Sequence, residues 1–376
     1  MMGSSLFRLH SLIWKASHQE PLSKKEIRFL ITLKNDAEIE SLFRAARNLR
    51  RRYFDDTIFL YGFIYFSTWC RNDCIFCFYR RSNPFAKRYR KEKDEIIEIG
   101  SRLAESGVHL VDLTMGEDPI FYQNRGRCFE LSEVVKALRE ETGLPVMVSP
   151  GVVSKADLLS LALAGADWYA CYQETHNRDL YSSLRVRQSF DERFSRKKDA
   201  SELGFLIEEG ILTGVGDSPE DIADSVENMM NIGARQVRVM TFVPQRGTPF
   251  EHLPAPSTKR ELIVIAVLRL LFPNRLIPAT LDVEGIAGLR NRLNAGANVI
   301  TSLVPPKRGL AGVSQSSLDI ESGCRTVQSV VPIIESMRLK TASVNEYSGW
   351  IDHEKKTLLL EKQSAHVEAP TSPRMT

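Results

Sequence analysis

Cysteine is scarce in this chain of 376 residues: there are six, and three of them fall between positions 70 and 77. No fourth cysteine follows nearby. No second C-x2-C or C-x2-H pair is present to complete the four ligands of a structural zinc, and His109 and His176 have no partner at ligand spacing. An electron-transfer ferredoxin needs four ligands for each cluster, so that reading lacks a residue. The N-terminus, MMGSSLFRLHSLIWKASHQE, has no basic start, apolar run and small-residue cleavage site in the order of a secretory signal, which argues against a disulfide framework. No apolar run approaches the roughly 20 residues of a membrane span. Neither sign of charge dominates: 50 basic against 47 acidic residues give a net charge of +3, too little to argue for nucleic acid or an anionic membrane. No GxxxxGK[ST] loop occurs, and the GVGD run at 214–217 lacks the third glycine of a dinucleotide site. With 43% hydrophobic and 26% charged residues, the chain reads as an ordinary globular protein with a sizeable core, expected in the reducing cytoplasm.

The cysteines that are present carry the first positive statement. Cys70, Cys74 and Cys77 lie in FSTWCRNDCIFCFY with the spacing C-x3-C-x2-C. Three thiolates on one loop can hold three irons of a 4Fe–4S cubane, leaving the fourth iron open to a group that is not protein. That arrangement points to reductive cleavage of S-adenosylmethionine, a radical chemistry in which the protein binds, orients and shields. Iron and sulfide, against zinc, would separate this from a zinc-stabilised RNA-binding protein. Cys128, Cys171 and Cys324 are scattered and read as buried or partly buried thiols. A second cluster would need ligands other than cysteine.

Residues 1–50 form a helical leader, with a helix start at PLSKKE and apolar spacing at Leu30, Leu33, Ile39 and Leu42. Between 51 and 345, short apolar runs at 58–66, 108–113, 144–149, 166–172, 210–216, 235–242, 277–282 and 297–304 read as strands. Helical stretches at 93–105, 131–142, 154–164, 190–209, 219–232 and 259–271 lie between most of them. The alternation predicts an α/β chain, a (βα)8 TIM-type barrel. Residues 346–376 form a C-terminal extension, polar and Pro/Ser-rich from about 361, whose end is expected to be disordered. Such barrels place their chemistry at the C-terminal strand ends. The cysteine loop falls there, as do Asp112, Thr114, Ser149, Tyr172, Glu174, Thr213, Arg238, Thr241, Thr280, Asp282 and Thr301. Any one of these alone could be a helix cap. The basic run near Arg80, Arg81 and 87–91 reads as a solvated face, because Glu92, Asp94 and Glu95 follow at once.

The segments FIYFSTWCRNDCIFCFYRRSN, VDLTMGEDP, YQET, RVRQSFDERF, EGILTGVGD, RVMTFVPQRGTP, RLIPATLDVEGI and RLNAGANVITSLVPP together resemble the 3-methylornithine synthases. These are radical S-adenosylmethionine (SAM) lysine mutases of pyrrolysine biosynthesis, kin to biotin synthase and the hydrogenase-maturation enzymes. The likeness covers roughly residues 20–345. It implies an isomerase with a 4Fe–4S cluster and SAM, fed by an external electron donor, with no nucleic-acid or membrane partner. The reaction it implies turns L-lysine into (3R)-3-methyl-D-ornithine by hydrogen abstraction, carbon–carbon fragmentation and recombination. The same resemblance implies residue roles. Cys70, Cys74 and Cys77 hold the cluster. Gly116, with Glu117 or Asp118, takes the cofactor ammonium, and Arg193 its carboxylate. Tyr172 and Glu174 face the ribose, and Phe76 packs on the adenine. Lysine brings one carboxylate and two ammonium groups, so a closed pocket needs a cation and at least two anions or strong acceptors. Arg238 is the expected cation, Asp112 and Asp282 the expected anions, with the Thr280 hydroxyl beside them. The alternatives are another biotin-synthase-like enzyme with a different small substrate, or a maturation factor that binds a cluster without cleaving the cofactor.

Overall fold

The structure, a computed structural model, describes residues 2–123, 127–314 and 324–368. Three helices open it: α1 (Met2–Ser17), α2 (Lys24–Ile31) and α3 (Asp36–Phe54). The expected helix start at PLSKKE is the N-terminus of α2, where Ser23 and Glu26 close a reciprocal capping box. After β1 (Thr57–Ser67) and the cysteine loop come α4 (Lys93–Ser106), β2 (Leu110–Met115), α5 (Ile120–Gln123), α6 (Arg127–Thr142) and β3 (Val146–Ser149). Next are α7 (Lys155–Leu163), β4 (Trp168–Ala170), α8 (Arg178–Leu184), α9 (Phe190–Glu202), β5 (Leu206–Thr213), α10 (Pro219–Asn231) and β6 (Gln236–Thr241). The last part holds α11 (Lys259–Leu271), β7 (Pro278–Thr280), α12 (Leu289–Asn294), β8 (Val299–Leu303), α13 (Val327–Ser336), β9 (Lys340–Thr341) and α14 (Val344–Glu368).

The eight expected strands are all parallel, in the order β6-β5-β4-β3-β2-β1-β8-β7. Every residue of β1 is buried, as expected of a strand covered on both faces. The two ends of the sheet meet through a single bridge, Gln236 with Leu276, so the barrel is nearly closed. At the opposite end from the cysteine loop, β9 pairs with the start of β1 and α14 lies across the floor. There the Tyr347 hydroxyl lies 2.6 Å from that of Tyr61, and Trp350 stacks on Trp168 at 5.9 Å. The leader packs on the barrel's outer helices, with Leu30 and Leu42 fully buried in the same apolar core.

The most consequential boundary differences from the sequence reading lie side by side. The helix expected over 190–209 stops at Glu202, and β5 is Leu206–Thr213, not 210–216. Gly204, with φ +95°, turns the chain after the helix, and the strand then carries Glu208 and Glu209 fully inside the barrel wall. An acidic pair reads as solvated helix until its buried partners, Arg238 and Lys197, are known. The polar end of the chain is helical as far as Glu368, and Glu361 pairs with Arg235. The expectation for residues 369–376 lies outside the described residues. Cys324 is exposed rather than buried, and the Cys128 side chain also lies outside what is described.

Candidate active site

The loop after β1 is built by its own polar groups. Arg88 donates to the carbonyls of Tyr79 (2.9 Å) and Arg80 (2.6 Å), and Thr68 Oγ1 to that of Lys87 (2.7 Å). Its seat is the end of β2: Arg71 N donates to the Glu117 carbonyl at 2.8 Å, and Gly116 N to that of Ser67 at 3.0 Å. A Cβ on Gly116 would stand 2.3 Å from the Trp69 carbonyl oxygen, so this approach requires glycine. Cys70, Cys74 and Cys77 all line one cavity at the C-terminal end of the barrel. Burial pushes the Cys70 thiol up to about 11, and burial with the neighbouring cysteines raises Cys77 further, so binding iron must displace protons. Cys74 receives Gln188 Nε2 at 3.0 Å and Arg185 Nη1 at 3.6 Å. Three thiols on one wall, with donors aimed at one sulfur, fit a cluster held by three cysteines.

Beside this loop, Arg193 is buried and reaches Glu117 Oε1 at 2.6 Å, Gln188 Oε1 at 2.9 Å and Cys171 Sγ at 3.0 Å, while its Nε has no partner. Burial would raise Glu117, but Arg193 and Arg71 outweigh it and hold its carboxyl below the usual range. Gly151 gives Glu117 its room: at φ +83°, a Cβ there would lie 2.2 Å from Glu117 Cγ. The two residues expected at opposite ends of the cofactor's amino-acid part thus meet in one ion pair. Asp118 is not on the cavity wall. Arg90 grips it with two bonds of 2.8 Å and Ser67 donates to it at 2.6 Å, so of the two MGED carboxylates only Glu117 faces the cavity. Glu174 lines the cavity in a left-handed conformation, φ +67°, bound by Arg185 at 2.7 Å; burial still raises its carboxyl. The Tyr172 ring lines the cavity, but its hydroxyl turns inward to Glu208 Oε2 at 2.8 Å. Phe76 lies under the Arg185 guanidinium, 5.5 Å from its ring centre.

Deeper in the barrel, Asp112 on β2 accepts from Thr114 (2.9 Å) and Ser149 (3.0 Å). Burial and nearby Glu208 push its carboxyl up to about 7. Arg238 on β6 binds Glu208 at 2.7 Å and Thr301 at 3.2 Å, and its buried Nη2 has no partner. Asp282 accepts from Arg325 (2.8 Å), Ser302 (2.6 Å) and Tyr65 (3.3 Å). Burial would raise it, but Arg325 and Ser302 hold it low. Thr280 is off the cavity wall and tied to Asp282 at 3.2 Å. Sequence reasoning missed Glu208, Arg325, Arg185 and Gln188. The last two stood in the quoted RVRQSFDERF segment beside Arg193, and Glu208 in a charged pair inside an apolar run; Arg325 had no local signal.

The sequence signature of the Radical SAM superfamily matches residues 64–229, from within β1 to α10. The 3-methylornithine synthase of Methanosarcina acetivorans is 45% identical over 326 residues, spanning 87% of this chain and 92% of that protein. The chain belongs to the 3-methylornithine synthase family. The Methanosarcina barkeri member is 47% identical over 321 residues, 85% of this chain and 91% of its own length. A crystal structure of methylornithine synthase matches with a TM-score of 0.85 at 44% identity, over 90% of this chain and 99% of that one. The nearly closed parallel barrel is therefore the fold of the 3-methylornithine synthase family. Membership in the wider superfamily implies SAM and a 4Fe–4S cluster.

Proposed function

We propose that this enzyme rearranges L-lysine into (3R)-3-methyl-D-ornithine, the first step of pyrrolysine biosynthesis. The observation that carries the reading is one cavity with two ends. Three cysteines stand at its mouth, and an unpartnered guanidinium nitrogen of Arg238 stands deeper among buried carboxylates, in a chain 45% identical to a 3-methylornithine synthase. When bound, the cluster and SAM supply a 5′-deoxyadenosyl radical that takes a hydrogen atom from the lysine side chain. Cys70, Cys74 and Cys77 hold the cluster. Arg193 and Glu117 receive the carboxylate and ammonium of the cofactor, Glu174 its ribose, and Phe76 its adenine, while Gly116 keeps the loop close.

Arg238 takes the lysine carboxylate through Nη2, with Glu208 on Nε and Thr301 on Nη1 fixing its guanidinium. Asp112, with Ser149 and Thr114, and Asp282, with Ser302, take the ammonium groups. The charges match once Asp112 is ionised: Asp112, Glu208 and Asp282 face two guanidiniums, Arg238 and Arg325, leaving one negative charge for a ligand with one net positive charge. After the carbon–carbon bond breaks, each fragment keeps a charged group on a charged anchor. Recombination then proceeds between pieces already in place, and the nearly closed barrel keeps water and other hydrogen donors out. No described helix is long and apolar enough to cross a membrane. The reading adds a cytoplasmic location, an external electron donor, and no nucleic-acid or membrane partner.

The test separates substrate binding from cofactor binding. Asp112→Asn, Arg238→Gln and Asp282→Asn should carry the cluster and bind SAM as the wild type does, yet make little or no methylornithine by anaerobic assay and mass spectrometry. Folded variants with wild-type turnover would overturn the pocket assignment.

A further inference from the structure

The turn between α8 and α9 presses on the middle cysteine. Ile75 N donates to the Leu184 carbonyl at 3.0 Å, which docks the cysteine loop on the end of α8. The chain then reverses through Arg187, at φ +63°, with Gln188 N bonded to the Arg185 carbonyl at 3.0 Å. This reversal brings the Gln188 side chain between two functional groups. Its Nε2 lies 3.0 Å from Cys74 Sγ, and its Oε1 accepts from Arg193 Nη2 at 2.9 Å. The amide has one sensible orientation here: its nitrogen faces the sulfur and its oxygen the guanidinium. Arg185 adds a longer contact to the same sulfur, 3.6 Å, while holding Glu174 at 2.7 Å.

We propose that Gln188 is a positioning residue that joins the cofactor seat to the cluster, donating to the Cys74 sulfur and aiming Arg193 at the same time, and so helps set the reduction potential of the cluster. This rests on the reading that Cys74 ligates the cluster and Arg193 receives the cofactor carboxylate. The physical basis is general. Reduction adds negative charge that spreads onto the ligating sulfurs, and an N–H donor at a sulfur stabilises it, raising the potential. Because the oxygen of the same amide holds Arg193, removing the side chain loosens both ends of the link.

The experiment uses the full chain, reconstituted anaerobically, with iron and sulfide counted, the cluster titrated against potential by electron paramagnetic resonance without SAM, and SAM affinity measured by equilibrium binding. Gln188→Leu should keep wild-type iron content. Its potential should move negative by about threefold to tenfold in the reduction equilibrium (tenfold is about 59 mV for one electron). SAM binding should weaken about tenfold, the scale of one charge-assisted hydrogen bond. Gln188→Glu, which removes the donor and adds a negative charge, should move the potential further in the same direction. Wild-type potentials in both variants at full cluster content would overturn the proposal. So would loss of the cluster from both folded variants, which would make Gln188 an assembly residue. A wild-type protein that holds no iron–sulfur cluster would instead defeat the proposed function.

Discussion

Burial inside β2 and the neighbouring Glu208 carboxylate push the Asp112 carboxyl up to about 7, against two hydroxyls, Thr114 and Ser149, that favour its ionised form. The sign follows from linkage. Its folded value lies above its unfolded one, so the folded state holds the extra proton; the destabilisation is absent below about pH 4, grows to pH 7 and is complete above. Asp112→Asn should therefore raise the thermal midpoint of the substrate-free protein by roughly a few degrees at pH 8, and by less at pH 5. Lysine binding should show the opposite demand. An ammonium prefers the ionised carboxylate, so wild-type lysine affinity should rise with pH up to about 7 and level off above it, and Asp112→Asn should lose that dependence. A midpoint gain equal at both pH values would contradict the assignment.

At the scale of elements, strand ends decide the site. The turn after β2 serves the cysteine loop because Gly116 lets the Trp69 carbonyl come in. Gly116→Ala should displace the loop and lower bound iron severalfold in reconstituted protein. Gly349→Ala in α14, where a Cβ meets nothing within 4 Å, should keep its iron and gain roughly 0.5–1 kcal/mol of stability. Equal iron content in the two variants would remove Gly116 from the argument. Most strands could be read from sequence because parallel barrel strands are apolar runs between helices. The β5 boundary could not, because Glu208 and Glu209 are neutralised by residues about 30 and 12 positions away, Arg238 and Lys197. That three cysteines gather at one cavity was legible because they lie on one short loop. Arg325 was not, because its bond to Asp282 spans 43 residues and depends on the closed barrel.

For the whole molecule, the barrel works as a vessel. Its mouth carries the cysteine loop, and its floor is covered by α14 through Tyr347 and Trp350. Tyr347→Ala should cost about 3–5 kcal/mol in stability. It should also let hydrogen donors reach the cavity, so that the ratio of methylornithine to 5′-deoxyadenosine falls. A less stable protein with an unchanged ratio would make the floor structural only. The most direct test of the central claim is turnover with uniformly 13C-labelled L-lysine, SAM and dithionite under nitrogen, followed by chromatography and mass spectrometry. The expected product has the mass of labelled lysine, retains every labelled carbon, and co-elutes with authentic 3-methyl-D-ornithine. Cofactor cleavage with lysine left intact, or a product of different mass, would contradict it.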